Sequence, residues 1–118
     1  MRIIVVDDHC DSAEVLAILL RGKERQVKVC HSGTECLSLV DSFEPQFVLL
    51  DLCMPGMDGW ETARCLHEHH PTVRLIAITN LDTENDRRRS EEAGFEQHMT
   101  KPVRLDKLLP IMNQLAAG

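Results

Sequence analysis

The chain predicts an α/β domain in which strands and helices alternate, (βα) repeated five times around a parallel sheet. Short apolar blocks rich in β-branched residues recur along it, and segments with helical apolar spacing stand between them. Its 118 residues make one domain of ordinary size, and no linker, internal repeat or low-complexity tract divides residues 1–118. A content of 43% hydrophobic and 27% charged residues supplies a core and excludes the balance of a disordered chain.

Ile3-Ile4-Val5-Val6 is the first strand, and it ends in acids. Ala13, Leu16, Ala17 and Leu20 then form the stripe of an amphipathic helix. Gln26 to His31 alternates through Val27 and Val29 as a second strand, and Ser32 or Thr34 caps a helix that carries Leu37 and Val40 to about Ser42. Phe47-Val48-Leu49-Leu50 is apolar throughout, as befits a strand covered on both faces. The turn residues of Met54 to Gly59 lead into a helix from about Trp60 to His69, which Pro71 stops. Val73 to Ile78 is the fourth strand, Asp82 to Ala93 a polar helix, and Gly94 its terminating residue. Gln97 to Thr100 is a short fifth strand, and the last helix carries Leu105, Leu108, Leu109, Met112, Leu115 and Ala116 on one face. Pro110 lies inside that helix, where a lost backbone bond costs about 3 kcal/mol, so a kink or local break is expected there.

This order dictates right-handed crossovers with helices on both faces, a three-layer sandwich. In the flavodoxin-like strand order 2-1-3-4-5, strands 1, 3, 4 and 5 are neighbours. Ligands collect at the carboxyl ends of such strands, and those ends are Asp7-Asp8, Asp51, Thr79 and Lys101. Three carboxylates, a hydroxyl and an ammonium therefore converge on one rim. Three close carboxylates repel, and all-oxygen ligation with remaining waters suits Mg²⁺, with Mn²⁺ as the alternative ion. An aspartate is also a nucleophile toward phosphorus, so phosphoryl transfer to a carboxylate is the leading chemistry, with Lys101 and Thr79 on the other phosphoryl oxygens.

Composition narrows the partners. Nineteen acids against thirteen bases give a formal charge of −6, which argues against nucleic acid and against anionic membranes. The apolar runs are far shorter than the roughly 20 residues of a membrane span, and Met1-Arg2 leads directly into one of them. Five cysteines, Cys10, Cys30, Cys36, Cys53 and Cys65, show no C-x-x-C spacing, so free thiols in a reducing cytoplasm are expected. With 3% aromatic residues, stacking-based base recognition is disfavoured.

From Arg2 to about Ala117 the chain resembles the receiver domains of two-component response regulators. The resemblance rests on Asp7-Asp8, on Asp51-Leu52-Cys53-Met54-Pro55-Gly56-Met57-Asp58-Gly59, on Thr79, on Ala93-Gly94 and on Lys101-Pro102, in that order. It implies that Asp51 accepts a phosphoryl group from a phosphohistidine of a sensor histidine kinase or histidine phosphotransfer protein, or from a small donor such as acetyl phosphate. Asp8, Asp51 and the backbone carbonyl of Cys53 would hold Mg²⁺, with Asp7 acting through water. Lys101 would pair with phosphoryl oxygens, Thr79 would move to hydrogen-bond one, and the surface of the fourth helix, fifth strand and fifth helix would change for an output partner or domain. A domain of this kind catalyses only its own phosphorylation and dephosphorylation. A cis Lys101-Pro102 bond is also usual in the family.

Three places depart from the commonest pattern. His98 stands where many members carry a Tyr or Phe that rotates inward with the threonine. Asn80 replaces a small residue and either crowds the phosphoryl group or hydrogen-bonds it. Leu81 and Cys53 hold positions that tune dephosphorylation in the family the chain resembles. The stretch from Asp86 to His98 resembles receivers attached to hybrid histidine kinases, and stand-alone and excised receivers both remain open.

Simpler readings stand beside these. Asp7 and Asp8 are also candidates to cap the first helix, and Arg87-Arg88-Arg89 is a solvated helix face or a partner surface. His67, His69 and His70 sit at a helix end where cations suit the dipole, with adventitious metal binding as the alternative. The cysteines are read as buried or half-buried packing residues, the alternative being redox sensing by Cys10 or Cys53, and Trp60 as packing near the site. A haloacid-dehalogenase-like phosphatase would need an acid at Cys53, and a nucleotide binder a Gly- or Ser-rich loop where Asp7-Asp8-His9-Cys10-Asp11 stands. A degenerate receiver that serves as a constitutive interaction module is the third alternative.

Overall fold

A computed structural model describes residues 1–22 and 24–117. Five strands, β1 (Arg2–Val6), β2 (Gln26–Cys30), β3 (Phe47–Leu50), β4 (Arg74–Thr79) and β5 (Gln97–Thr100), form one parallel sheet in the order β2-β1-β3-β4-β5. Five helices connect and follow them: α1 (Cys10–Leu20), α2 (Gly33–Phe43), α3 (Gly59–His69), α4 (Glu84–Ala93) and α5 (Leu105–Ala117).

Strand alternation divides the core in two. Ile3, Val5, Phe47, Leu49, Ile76 and Ile78 point to one face, where Ala13, Ala17 and Leu20 of α1 and Leu108 and Met112 of α5 cover them. Ile4, Val6, Val48, Leu50, Leu75 and Ala77 point to the other, against Cys36 and Val40 of α2, Trp60, Ala63 and Leu66 of α3, and Ala93 of α4. The central strands β1 and β3 are thereby buried on both faces, which is why they read as continuous apolar runs.

Local signals fix the helix ends. Ser32, not Thr34, caps α2 by accepting from the Glu35 amide, and Asp58 caps α3 by accepting from the Glu61 amide. Thr83 and Asp86 form a reciprocal capping box at the start of α4, and Gly94 ends that helix at φ 103°. The Lys101-Pro102 bond is cis, as the resemblance implied.

Two expectations are corrected. The helix α5 runs from Leu105 through Pro110 to Ala117 without a break. The carbonyl that loses its partner to the proline ring is that of Asp106, in the exposed first turn where water replaces the amide. Ala116 is exposed and does not join the buried stripe, which is centred on Leu108 and Met112.

Candidate functional site

The sheet places the site by its ladders. Each of three site residues continues a strand's pairing by one backbone bond: Asp7 N–H donates to Cys30 O (3.1 Å), Asp51 N–H to Val6 O (2.9 Å) and Lys101 N–H to Thr79 O (2.8 Å). Their backbones are thus held as rigidly as the strands, and their side chains emerge at the carboxyl edge. Asp7 and Asp51 are 5% and 7% exposed, and the Lys101 ammonium donates to both, at 2.9 Å to Asp7 Oδ2 and 3.2 Å to Asp51 Oδ2. Asp8 is exposed beside them, and Asp7, Asp8 and Asp51 each offer an oxygen within 4.8 Å of the others. Asp7 also accepts from the His9 amide, while α1 starts with no side-chain cap, so neither acid caps that helix.

Electrostatics follow from this crowding. Burial raises the Asp51 carboxyl above its ordinary value, and the neighbouring Asp7 raises it further, against the opposing pull of Lys101 and the Cys53 amide. Burial works against the Lys101 charge, yet the hydrogen bond to Asp7 and the Asp51 carboxylate outweigh it, and the ammonium titrates above its ordinary value. The gain of the pair is therefore uneven, with the lysine keeping its proton firmly and the aspartate giving its proton up late. One ammonium faces more negative charge than it neutralises, and that deficit suits a hard divalent cation with oxygen ligands. Cys53 is tied to this rim by its amide, 3.2 Å from Asp51 Oδ1.

Close packing sets the loop that carries Asp51. Gly59 opens α3 directly beneath it, and a Cβ there would stand 2.5 Å from the Asp51 carbonyl oxygen and 2.6 Å from Leu52 Cα. A glycine is what lets the helix approach this closely. The Gly59 amide donates to Leu52 O at 3.1 Å, closing the turn.

A cleft of about 570 Å³ opens over the rim, lined by Asp7, Asp51, Lys101 and Asn80 and bordered by Val15 and Leu19 of α1. Thr79 does not line it. The residue is fully buried, and its Oγ1 accepts from the Leu81 amide at 3.2 Å. A second concavity of about 620 Å³ lies at the opposite end of the sheet. Its basic side chains are already engaged, Arg2 with Glu44 O, His70 with Asp41 and Arg74 with Glu96, and the carboxylate cluster found among the described residues lies at the other end, at Asp7, Asp8 and Asp51.

Several readings change in the structure. Cys30 and Cys36 are buried and Cys65 half-buried, but Cys10 and Cys53 are exposed. Partial burial and the Asp51 charge raise the Cys53 thiol, which opposes the reactive thiolate that redox sensing needs. The triple arginine is not simply a solvated face: Arg87 pairs with Asp82 and reaches His98 O, and the Arg89 guanidinium lies 3.8 Å over the Trp60 ring. Trp60 is buried packing, with its indole N–H donating to Ser90 Oγ at 3.2 Å. Composition and spacing held no signal for Ser90, because its partners are thirty and eight residues away in sequence.

Fold and site together define a doubly wound α/β domain that gathers an acidic triad and a lysine at the carboxyl edge of its sheet. The chain belongs to the response regulator receiver domain family of two-component systems, whose model matches residues 3–113. It is 33% identical over 115 residues to the response regulator MprA of Mycobacterium avium, a match covering 98% of this chain and 50% of that protein. It is 31% identical over 119 residues to the protein PilH of Pseudomonas aeruginosa, covering 99% and 98% of the two chains. The receiver domain of the histidine kinase CKI1 from Arabidopsis thaliana, solved with Mg²⁺ and BeF₃⁻, superposes with a TM-score of 0.84 at 26% identity, covering 99% of this chain and 90% of that one. The chain spans about half the length of the MprA relatives it matches.

Proposed function

We propose that Asp51 is the phosphoryl acceptor of a two-component phosphorelay and that transfer to it depends on Mg²⁺. The observation that carries this is the near-buried Asp51 carboxylate within reach of both Lys101 and the Asp7–Asp8 pair. Asp8, Asp51 and the Cys53 carbonyl would hold the ion, and Asp7 would act through water. When bound, the ion supplies positive charge for the phosphoryl oxygens of an in-line transfer.

In this reading an Asp51 oxygen attacks phosphorus, the phosphorus–nitrogen bond of the donor phosphohistidine breaks, and the leaving imidazole takes up a proton. Lys101 moves its hydrogen bonds from carboxylate to phosphoryl oxygen and balances the added charge. The Thr79 hydroxyl supplies a further donor from the neighbouring strand. Beyond its own phosphorylation and dephosphorylation the domain catalyses nothing. Its output is a change in the surface of α4, β5 and α5.

The donor would be a histidine kinase or histidine phosphotransfer protein. On the outer face of α1, Val15, Ile18 and Leu19 are 57%, 63% and 51% exposed, and Val15 and Leu19 border the cleft that holds Asp51. An apolar helix face continuous with the acceptor suits a histidine-bearing helix laid across it.

Intact mass after incubation with acetyl phosphate and Mg²⁺ tests the proposal. A single phosphoryl adduct is expected, absent in Asp51→Asn and absent with EDTA. An adduct that persists in either control would refute it.

A further inference from the structure

Among the described residues, the exposed large apolar side chains all stand on one helix: Val15, Ile18 and Leu19 of α1. An apolar patch concentrated in this way marks a contact surface. Helical spacing sets what borders it. Val15 and Ile18 straddle the outer midline of α1, and Leu19 lies on the flank toward the cleft. Glu14 and Arg21 lie on the other flank, two turns apart, and both are exposed. The Arg21 side chain leans toward β2, where its Nη2 donates to Val27 O at 3.2 Å, and the guanidinium has further donors. Among the described residues neither Glu14 nor Arg21 belongs to an ion pair.

This pattern is self-complementary. Reversing α1 about a point between Ala17 and Ile18 exchanges position 14 with position 21 and returns the apolar patch onto itself. In an antiparallel two-fold pair each flank meets its own kind, so Glu14 of each copy faces Arg21 of the other while Val15, Ile18 and Leu19 interdigitate with the same three side chains. A parallel pair would lay the charged flank against Leu19 instead. Antiparallel packing also sends the two acidic rims, which lie at the start of α1, to opposite ends of the contact.

We propose that the outer face of α1 seats a second copy of this chain, antiparallel and two-fold symmetric, with reciprocal Glu14–Arg21 pairs flanking a core of Val15, Ile18 and Leu19. The 11 residues of α1 span about 16 Å, so the contact is smaller than that of a stable dimer. Two chains of formal charge −6 also repel at long range. The pair is therefore transient, with a dissociation constant of about 100 µM. It uses the face offered above to a histidine-bearing helix, and the two associations exclude each other. The dimer does not rest on Asp51 being the acceptor.

Sedimentation equilibrium of the unphosphorylated chain, at loading concentrations up to about 1 mM, reads the association. The wild type is expected to dimerise and Ile18→Glu to stay monomeric. Glu14→Arg and Arg21→Glu each turn two attractive pairs into repulsive ones and should each weaken the dimer about tenfold. The double variant Glu14→Arg/Arg21→Glu restores both pairs in reverse and should return to within about threefold of the wild type. All three positions are exposed, so the variants are expected to fold as the wild type does. A wild type that stays monomeric throughout, a dimer undiminished by Ile18→Glu, or a double variant no tighter than the single ones would overturn the proposal. Any of these would leave the acceptor reading intact, because labelling of Asp51 by acetyl phosphate does not use the outer face of α1.

Discussion

At the residue scale, the balance of charge at the rim decides how this domain responds to pH and to cations. Burial holds the Asp51 carboxyl above its ordinary value. Between about 3.9, where an unfolded aspartate titrates, and that raised value, the folded state keeps a proton that the unfolded chain has released, so stability falls as pH rises through the interval. At neutral pH the ionised form therefore carries a penalty that Asp51→Asn removes. In metal-free buffer at pH 7 the variant should melt roughly 3 °C higher by calorimetry, with the difference fading toward pH 3. Lys101 has the opposite sign, since its raised value stabilises the fold below about pH 10.4 and the contribution disappears as pH climbs through the folded value. Lys101→Ala leaves Asp7 and Asp51 facing each other and should cost about 1–2 kcal/mol in urea unfolding at pH 7, a figure reduced for the partial exposure of the lysine. Added Mg²⁺ should restore much of it.

The acids were legible in the sequence because Asp7 and Asp51 follow apolar strands directly, and strand order brings Lys101, at the end of the polar fifth strand, to the same edge. The burial of Thr79 was not, because a strand-end hydroxyl carries no mark of whether it faces the cleft or the neighbouring turn. Nor was the fixing of His98, which depends on Trp60 and Ser90 from two different helices.

At the scale of elements, close approach matters more than propensity. The start of α3 is pressed against the chain that carries Asp51, and the contacts a Gly59 Cβ would make are to backbone, which yields poorly. Gly59→Ala should cost about 2 kcal/mol and weaken Mg²⁺ binding roughly tenfold, because the displaced atoms include the Asp51 carbonyl. Gly56, three residues earlier at φ 76°, has open space around it. Alanine there should cost about 1 kcal/mol from backbone strain and leave Mg²⁺ affinity unchanged, and fluorescence titration of Trp60 distinguishes the two. The same contrast explains what the sequence conceals at this scale. Glycine in a turn-rich stretch is visible, but which one lies under a helix is a property of packing. Pro110 is the converse case, a strong breaking signal overridden because Leu108 and Met112 hold α5 to the sheet on either side of it.

At the scale of the molecule, two cores on opposite faces of one sheet leave its carboxyl edge as the shared boundary, and the site sits on that boundary. On that boundary the Lys101 amide donates to Thr79 O, a backbone bond that joins the ends of β4 and β5 beside Asp51. The alternation of strands and helices made this architecture readable from period alone, whereas the apolar outer face of α1, Val15, Ile18 and Leu19, lies outside the Ala13, Leu16, Ala17 and Leu20 stripe that the periodicity singled out. Ile18→Glu changes an exposed side chain away from the rim. It should leave phosphorylation by acetyl phosphate within about twofold and slow transfer from a phosphorylated histidine kinase that serves the wild type by roughly tenfold, a difference visible in radiolabel transfer.

The most direct test of the account is the position of the phosphoryl group. After reaction with acetyl phosphate and Mg²⁺, borohydride reduction converts an acyl phosphate to an alcohol, and peptide mass mapping locates it. The account predicts homoserine at position 51 and an unmodified Asp7 and Asp8. Reduction at either of those residues, or a phosphoryl group retained on a histidine with Asp51 untouched, would contradict it.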